Sequence, residues 1–232
     1  MNLLILALAP VVIIAAYIYI RDKYEKEPIR LLLFALLAGG LTVIPVLFLE
    51  TFLSSFTGLF YGLTAAAWKA FVVAAFSEEL WKFIALYVLI WRSPEFNEKF
   101  DGIVYAVYVS LGFAAVENVM YVMDGGLSTG IARAITAVPA HAIFGITMGF
   151  YFGLAKFYQK EQASLKLKAL AFPILLHGIY DFILFTGIDW LTIAFIAFVI
   201  YLYISGLKRM KVLSKQSIYN TDYDLLNEKL SK

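Results

Sequence analysis

The 232-residue chain has no cysteine, only two histidines, and charged residues at just 16% of its length. Without cysteine there is no disulfide framework and no thiol nucleophile. The scarcity of charge excludes more. A soluble domain carries about 25% charged and 45–50% apolar residues, whereas 62% of this chain is hydrophobic and its mean hydropathy is +0.81. A soluble globule does not fit those figures. Several motifs are also missing. There is no His-Glu-x-x-His for a gluzincin-type metalloprotease and no Gly-x-Ser-x-Gly nucleophile elbow. Tyr180-Asp181 has no Gly-x-Gly-Asp partner of the kind intramembrane aspartyl proteases use. No basic, aromatic-interleaved patch points to nucleic acid.

What remains is a set of long apolar runs, roughly 2–20, 31–49, 64–91, 102–123, 130–155, 168–186 and 190–207. Crossing the hydrocarbon core takes about 20 helical residues, so the expected fold is an all-α membrane bundle of about seven transmembrane helices. The first run lacks a basic n-region and continues unbroken to Ile20, which reads as a retained anchor rather than a signal peptide. No loop is long enough for a second soluble domain. Residues 1–207 are therefore expected to form one membrane-embedded domain. Residues 208–232 form a cytoplasmic tail, with a short helix expected over 223–230.

Basic residues set the direction. Segments 21–30, 92–99, 156–168 and the tail from 208 hold four, two, four and six Lys or Arg; the intervening loops hold none. With seven spans all of these basic segments fall on one side, and counting 51–63 as another full span would split them. The positive-inside rule then places the N-terminus outside and the C-terminus in the cytoplasm. Residues 51–63 are left as an interfacial or re-entrant piece.

Against this apolar background a few polar residues stand out. His141 and His177, the only histidines, lie deep in two of the runs, and Glu78-Glu79, Lys82, Glu117-Asn118 and Asp181 lie in others. An ionisable group at the bilayer centre costs several kcal/mol, with estimates from ~2.5 upward. Lys82 is four residues from Glu78 and three from Glu79, within reach of either on a helix. One lysine does not comfortably neutralise two carboxylates, and a proton-transfer group is the expected consequence. Gly112 and the alanines after it permit close helix approach. A proline stands two residues before His141 and four before His177, where it can free a carbonyl and bend a helix.

By depth, Glu78, His141 and His177 share the midplane, with Glu117 and Asp181 nearer the outside. Three chemistries fit that layer. A glutamate and a histidine can activate water for amide hydrolysis, with other donors stabilising the oxyanion. Two histidines and a glutamate can hold zinc with a fourth position open to water. Such groups can also relay protons in a transporter.

The residues resemble the PrsW proteases, bacterial membrane enzymes that make the first cut in a transmembrane anti-sigma factor. The resemblance rests on Asp22-Lys23-Tyr24-Glu25-Lys26-Glu27-Pro28, Phe76-Ser77-Glu78-Glu79-Leu80-Trp81-Lys82, Gly112 to Asn118, His141, and His177-Gly178-Ile179-Tyr180-Asp181-Phe182, in that order. A wider kinship is with the prenyl (CAAX) endoproteases. The resemblance implies a bacterial cell-membrane endopeptidase of glutamic type that needs no cofactor, with zinc as the open alternative. Its implied partners are the bilayer and a single-pass anti-sigma factor, cut near the extracytoplasmic side during a stress response. It also implies catalytic roles for Glu78, Glu79, His141 and His177. Glu78 and His141 would activate water and His177 would stabilise the oxyanion, with Lys82, Glu117, Asn118 and Asp181 in support. Prenyl proteases commonly carry Asn where Asp181 stands here, and a carboxylate cannot donate as that Asn does.

Overall fold

The computed structural model describes residues 3–217, apart from the Thr192 side chain, and among them it contains helices and no strand. The expected 223–230 helix lies outside the described residues. Helices α1 (Leu3–Arg21), α2 (Ile29–Leu41), α3 (Val43–Ser54), α4 (Gly62–Ala67), α5 (Ser77–Ile90), α6 (Asp101–Ile135), α7 (Ala137–Phe157), α8 (Gln162–Phe185) and α9 (Leu191–Lys215) follow in chain order. Helix α9 runs past residue 207 to Lys215.

Five helical stretches are long and apolar enough to cross a membrane: Leu3–Arg21, Ile29–Leu59, Asp101–Phe157, Gln159–Phe185 and Ile193–Lys215. The third of these, 57 residues long, makes two passes. At Gly126 the backbone turns to φ 70° and ψ −155°, a conformation open to glycine because it has no Cβ. Beyond it the chain folds back until Arg133 bonds Glu117. One further apolar pass, 62–90, is divided into α4, a π-helical segment Trp68–Phe76, and α5. Together these make the seven passes expected. Residues 51–63 are the end of α3, a short 3-10 turn at Thr57–Leu59 and the start of α4. They connect two passes and do not form an eighth.

The first half of α6 is apolar on nearly every face, and residues 101–114 are all buried. A helix of that kind belongs at the centre of a bundle. It packs against α1, α2 and α7. Glycine is needed where backbones nearly touch. A Cβ on Gly112 would collide with the Leu36 carbonyl of α2, and one on Gly149 with the Gly102 carbonyl. The wider apolar surface faces outward, with Ile5, Phe48, Leu59, Val88, Met123 and Ile193 among the exposed side chains.

The basic loops gather at one end of the bundle. Asn97 donates to Glu25 at 3.2 Å, Lys99 to Tyr158 at 3.1 Å, and Lys156 to the Trp91 carbonyl at 2.8 Å.

Candidate functional site

Glu78 and Glu79 open α5 immediately after the π-helical segment. A π turn changes the rotation of everything that follows it, and such turns frequently occur at functional sites. Lys82, one turn on, is fully buried. Its ammonium has three N–H groups and no acceptor, and three acceptors surround it. Glu78 Oε2 lies at 3.0 Å, Glu79 Oε1 at 2.8 Å and His141 Nδ1 at 3.2 Å. The same ammonium sits 4.1 Å from the centre of the Phe113 ring. One lysine thus contacts both carboxylates and a histidine from another helix.

His141 comes from the first turns of α7. Pro139 lies in that first turn, where no N–H is required, and the chain breaks just before it, at Thr136 (φ −120°, ψ −68°). The proline therefore starts a helix here rather than bending one. Nε2 of His141 lies 2.8 Å from Glu117 Oε2 on α6. His177, from α8, has a carboxylate at each nitrogen: Glu79 Oε1 at 3.0 Å from Nδ1 and Asp181 Oδ2 at 3.3 Å from Nε2. The two imidazole centres are 5.4 Å apart, and Phe144 stacks on His177 at 4.8 Å.

All the residues singled out in the sequence therefore belong to one network, but in two layers. A cavity of about 750 Å³ is lined by Glu78, Glu117, His141, His177 and Asp181. Glu79 and Lys82 lie behind that wall and reach it only through their neighbours. Asn118 also lies behind it, fully buried, donating to the Ala7 carbonyl of α1 at 2.7 Å.

Other lining residues had not been singled out, Arg133 and Glu50 among them. Arg133 bonds Glu117 at 2.6 Å and Asn118 at 2.8 Å. The signal for it was present, since an arginine within an apolar run rarely lacks a partner. Glu50, on α3, lines the same cavity. It stands at the edge of an apolar run, where a carboxylate reads as a solvated helix end.

A polytopic helical bundle with a glutamate–histidine–lysine cluster at an open cavity defines a membrane protein with a buried polar site able to transfer protons. Residues 27–205 match a family described as PrsW family intramembrane metalloprotease. The chain is 40% identical over 190 residues to Protease PrsW of Geobacillus kaustophilus (strain HTA426), covering 82% of each chain. It is 36% identical over 223 residues to Protease PrsW of Oceanobacillus iheyensis (strain HTE831), covering 95% of this chain and all of the relative. To Protease PrsW of Bacillus subtilis (strain 168) it is 34% identical over 208 residues, covering 88% and 92%. The chain belongs to the PrsW family of intramembrane proteases. No solved structure matches it.

The family description implies a metal, and the donor types suit one. One ligand atom each from Glu78, Glu79, His141 and His177 falls within 4.8 Å of the others. The arrangement does not fit. A zinc ligand set needs imidazole lone pairs aimed at one point. Here the Lys82 ammonium stands among three of the four candidate ligands, where its charge would repel a second cation. Of the four candidate ligands, Glu79 alone has a buried oxygen, Oε2, without a partner, and one oxygen does not make a site.

Proposed function

We propose that this chain is a glutamic-type endopeptidase that cuts a single-pass transmembrane anti-sigma factor, with Glu78 as the base. The observation that carries this reading is the division of labour around Lys82. The lysine grips Glu78 Oε2 from behind while the Glu78 side chain lines the cavity, which leaves the second oxygen to meet water. Glu78 takes one proton as the water oxygen bonds the scissile carbonyl carbon, and His141 assists that activation through Lys82, which it shares with Glu78. His177 Nε2 faces the cavity with Asp181 as its longer partner, and a developing oxyanion can replace that carboxylate. Collapse breaks the C–N bond as Glu78 returns its proton to the leaving nitrogen. Glu79 orients Lys82 and His177.

The cavity also supports the side of attack. Its lining includes Glu50 and Asp124, toward the end of the bundle opposite the basic loops. The positive-inside rule makes that end extracytoplasmic in a bacterial cell membrane and puts the C-terminus inside. A substrate helix entering there must unwind locally, because a helical amide is hydrogen-bonded and shielded.

The test is cleavage of a single-pass anti-sigma-type substrate in proteoliposomes. Glu78→Gln should insert and fold as the wild type does and lose cleavage by at least ~100-fold, the usual scale for an acid–base group. Full turnover in that variant removes the mechanism. Metal analysis accompanies the assay. Chelator-treated, metal-free protein should keep full turnover. One zinc per chain, lost and regained with activity, would make Glu78 a ligand instead.

A further inference from the structure

We propose that Arg133 is a positioning residue, fixing through Glu117 which nitrogen of His141 carries the proton. The proposal rests on the glutamate–histidine reading of the site given above. The bonds run in one line. The guanidinium of Arg133 sits 4.1 Å over the Tyr121 ring, donates from Nη2 to Glu117 Oε2 at 2.6 Å, and donates from Nε to Asn118 Oδ1 at 2.8 Å. Asn118 is itself tied to the α1 backbone. Glu117 Oε2, the oxygen Arg133 holds, is also the one facing His141 Nε2 at 2.8 Å. Across the ring, His141 Nδ1 lies 3.2 Å from Lys82 Nζ. An ammonium only donates, so Nδ1 must accept and the proton must sit on Nε2. That tautomer requires Glu117 to be a pure acceptor, which it is as a carboxylate paired with Arg133.

The consequence of losing the pair follows from the same inventory. Glu117 would keep His141 as its remaining hydrogen-bond partner on a wall it shares with the carboxylates Glu50, Glu78 and Asp181, and a proton could then be shared between them. With the proton on Glu117, Nε2 becomes the acceptor and Nδ1–H points at the Lys82 ammonium, donor against donor. The ring must turn or Lys82 must shift, and either movement disturbs the lysine that holds Glu78. Arg133 reaches this place only because the chain reverses at Gly126. It touches neither Glu78 nor the histidines and acts through Glu117 alone.

The experiment compares wild type, Arg133→Gln and Arg133→Lys in the proteoliposome assay, and by 15N NMR of histidine-labelled protein. Two histidines give two ring systems, assigned with His177→Gln. Arg133→Gln should lower kcat by roughly 10- to 100-fold, at or below the ~100-fold of a lost acid–base group because the residue acts through another, with KM within about twofold. Its His141 nitrogens should shift from the Nε2–H pattern toward a mixture. Arg133→Lys keeps the charge but not the fork to Glu117 and Asn118, so it should recover part of the rate and most of the tautomer. If Arg133→Gln does not fold, the lysine variant carries the comparison, with a smaller shift in the same direction. Unchanged kcat overturns the proposal, and so does a lower kcat with the Nε2–H pattern intact. If the wild type cuts no substrate, the protease reading fails. The nitrogen shifts then decide the positioning role by themselves.

Discussion

Two regions of this bundle bury carboxylates, and they do so in opposite ways. At the candidate site the acids of the network have a cation or an imidazole beside them: Glu78 and Glu79 share Lys82, Glu117 has Arg133 and His141, and Asp181 has His177. At the end carrying the basic loops, Asp22, Glu27, Glu98 and Asp101 are buried together. There Glu27 accepts from the Tyr105 hydroxyl, and Asp101 accepts from the backbone N–H groups of Asn97 and Glu98 at 3.0 and 2.6 Å. Lys26 is close, but its amine turns to the Tyr19 and Asp22 carbonyls. Burial above all, with neighbouring carboxylates adding to it and hydrogen bonds opposing it, raises the Glu27 carboxyl from 4.5 to about 7 and the Asp22 carboxyl from 3.8 to about 6. The difference teaches what pairing does. The candidate site holds its charges by complement, whereas the loop end holds its acids mainly by hydrogen bonds while burial raises their affinity for protons.

The largest way to break the comparison is to remove the shared cation. Lys82→Met leaves two buried carboxylates without it, and breaking a buried pair from one side costs about 3–5 kcal/mol. Thermal unfolding in detergent should show a large loss of stability together with loss of cleavage. A variant as stable as the wild type would mean the carboxylates do not depend on Lys82. Next in size come His141→Ala and His177→Ala. Each should lower turnover by ~100-fold or more with a far smaller effect on unfolding than Lys82→Met. Normal turnover in either would reduce that histidine to a packing group.

The smallest effect is expected at the loop end, and it concerns pH. Glu27 and Asp22 bind protons more tightly folded than unfolded, so their contribution to stability is fully present below about pH 4. It is lost as pH rises through about 6 for Asp22 and about 7 for Glu27. Wild-type unfolding temperature should therefore fall between pH 5 and pH 8. Glu27→Gln keeps an acceptor for Tyr105 and should flatten that fall, making it the more stable protein at pH 8. An identical slope in wild type and variant would show that Glu27 does not titrate in this window.

Much of the bundle was legible before any coordinates. Hydropathy marked the apolar helices because an unsatisfied backbone group in lipid forces helices, and the placement of Lys and Arg argued against counting 51–63 as another full span. Helical spacing alone put Lys82 within reach of Glu78 and Glu79. Depth along the helices, at about 1.5 Å per residue, brought Glu78, His141 and His177 to one layer.

Rotation about each helix axis was not legible, because it depends on how neighbouring helices pack. The π-helical segment before Glu78 resets the facing of α5 without any marker in composition. The reversal at Gly126 brings Arg133 onto Glu117, sixteen positions earlier in the chain. The burial of Asp22 with Glu27 arises where two interhelical loops meet. The sequence by itself marked the long apolar helices and which residues share a depth, since both follow from the transfer energy and rise of single helices. Only the tertiary structure decided which nitrogen meets which carboxylate, because hydrogen bonds a few ångströms long are set by the packing of several helices at once.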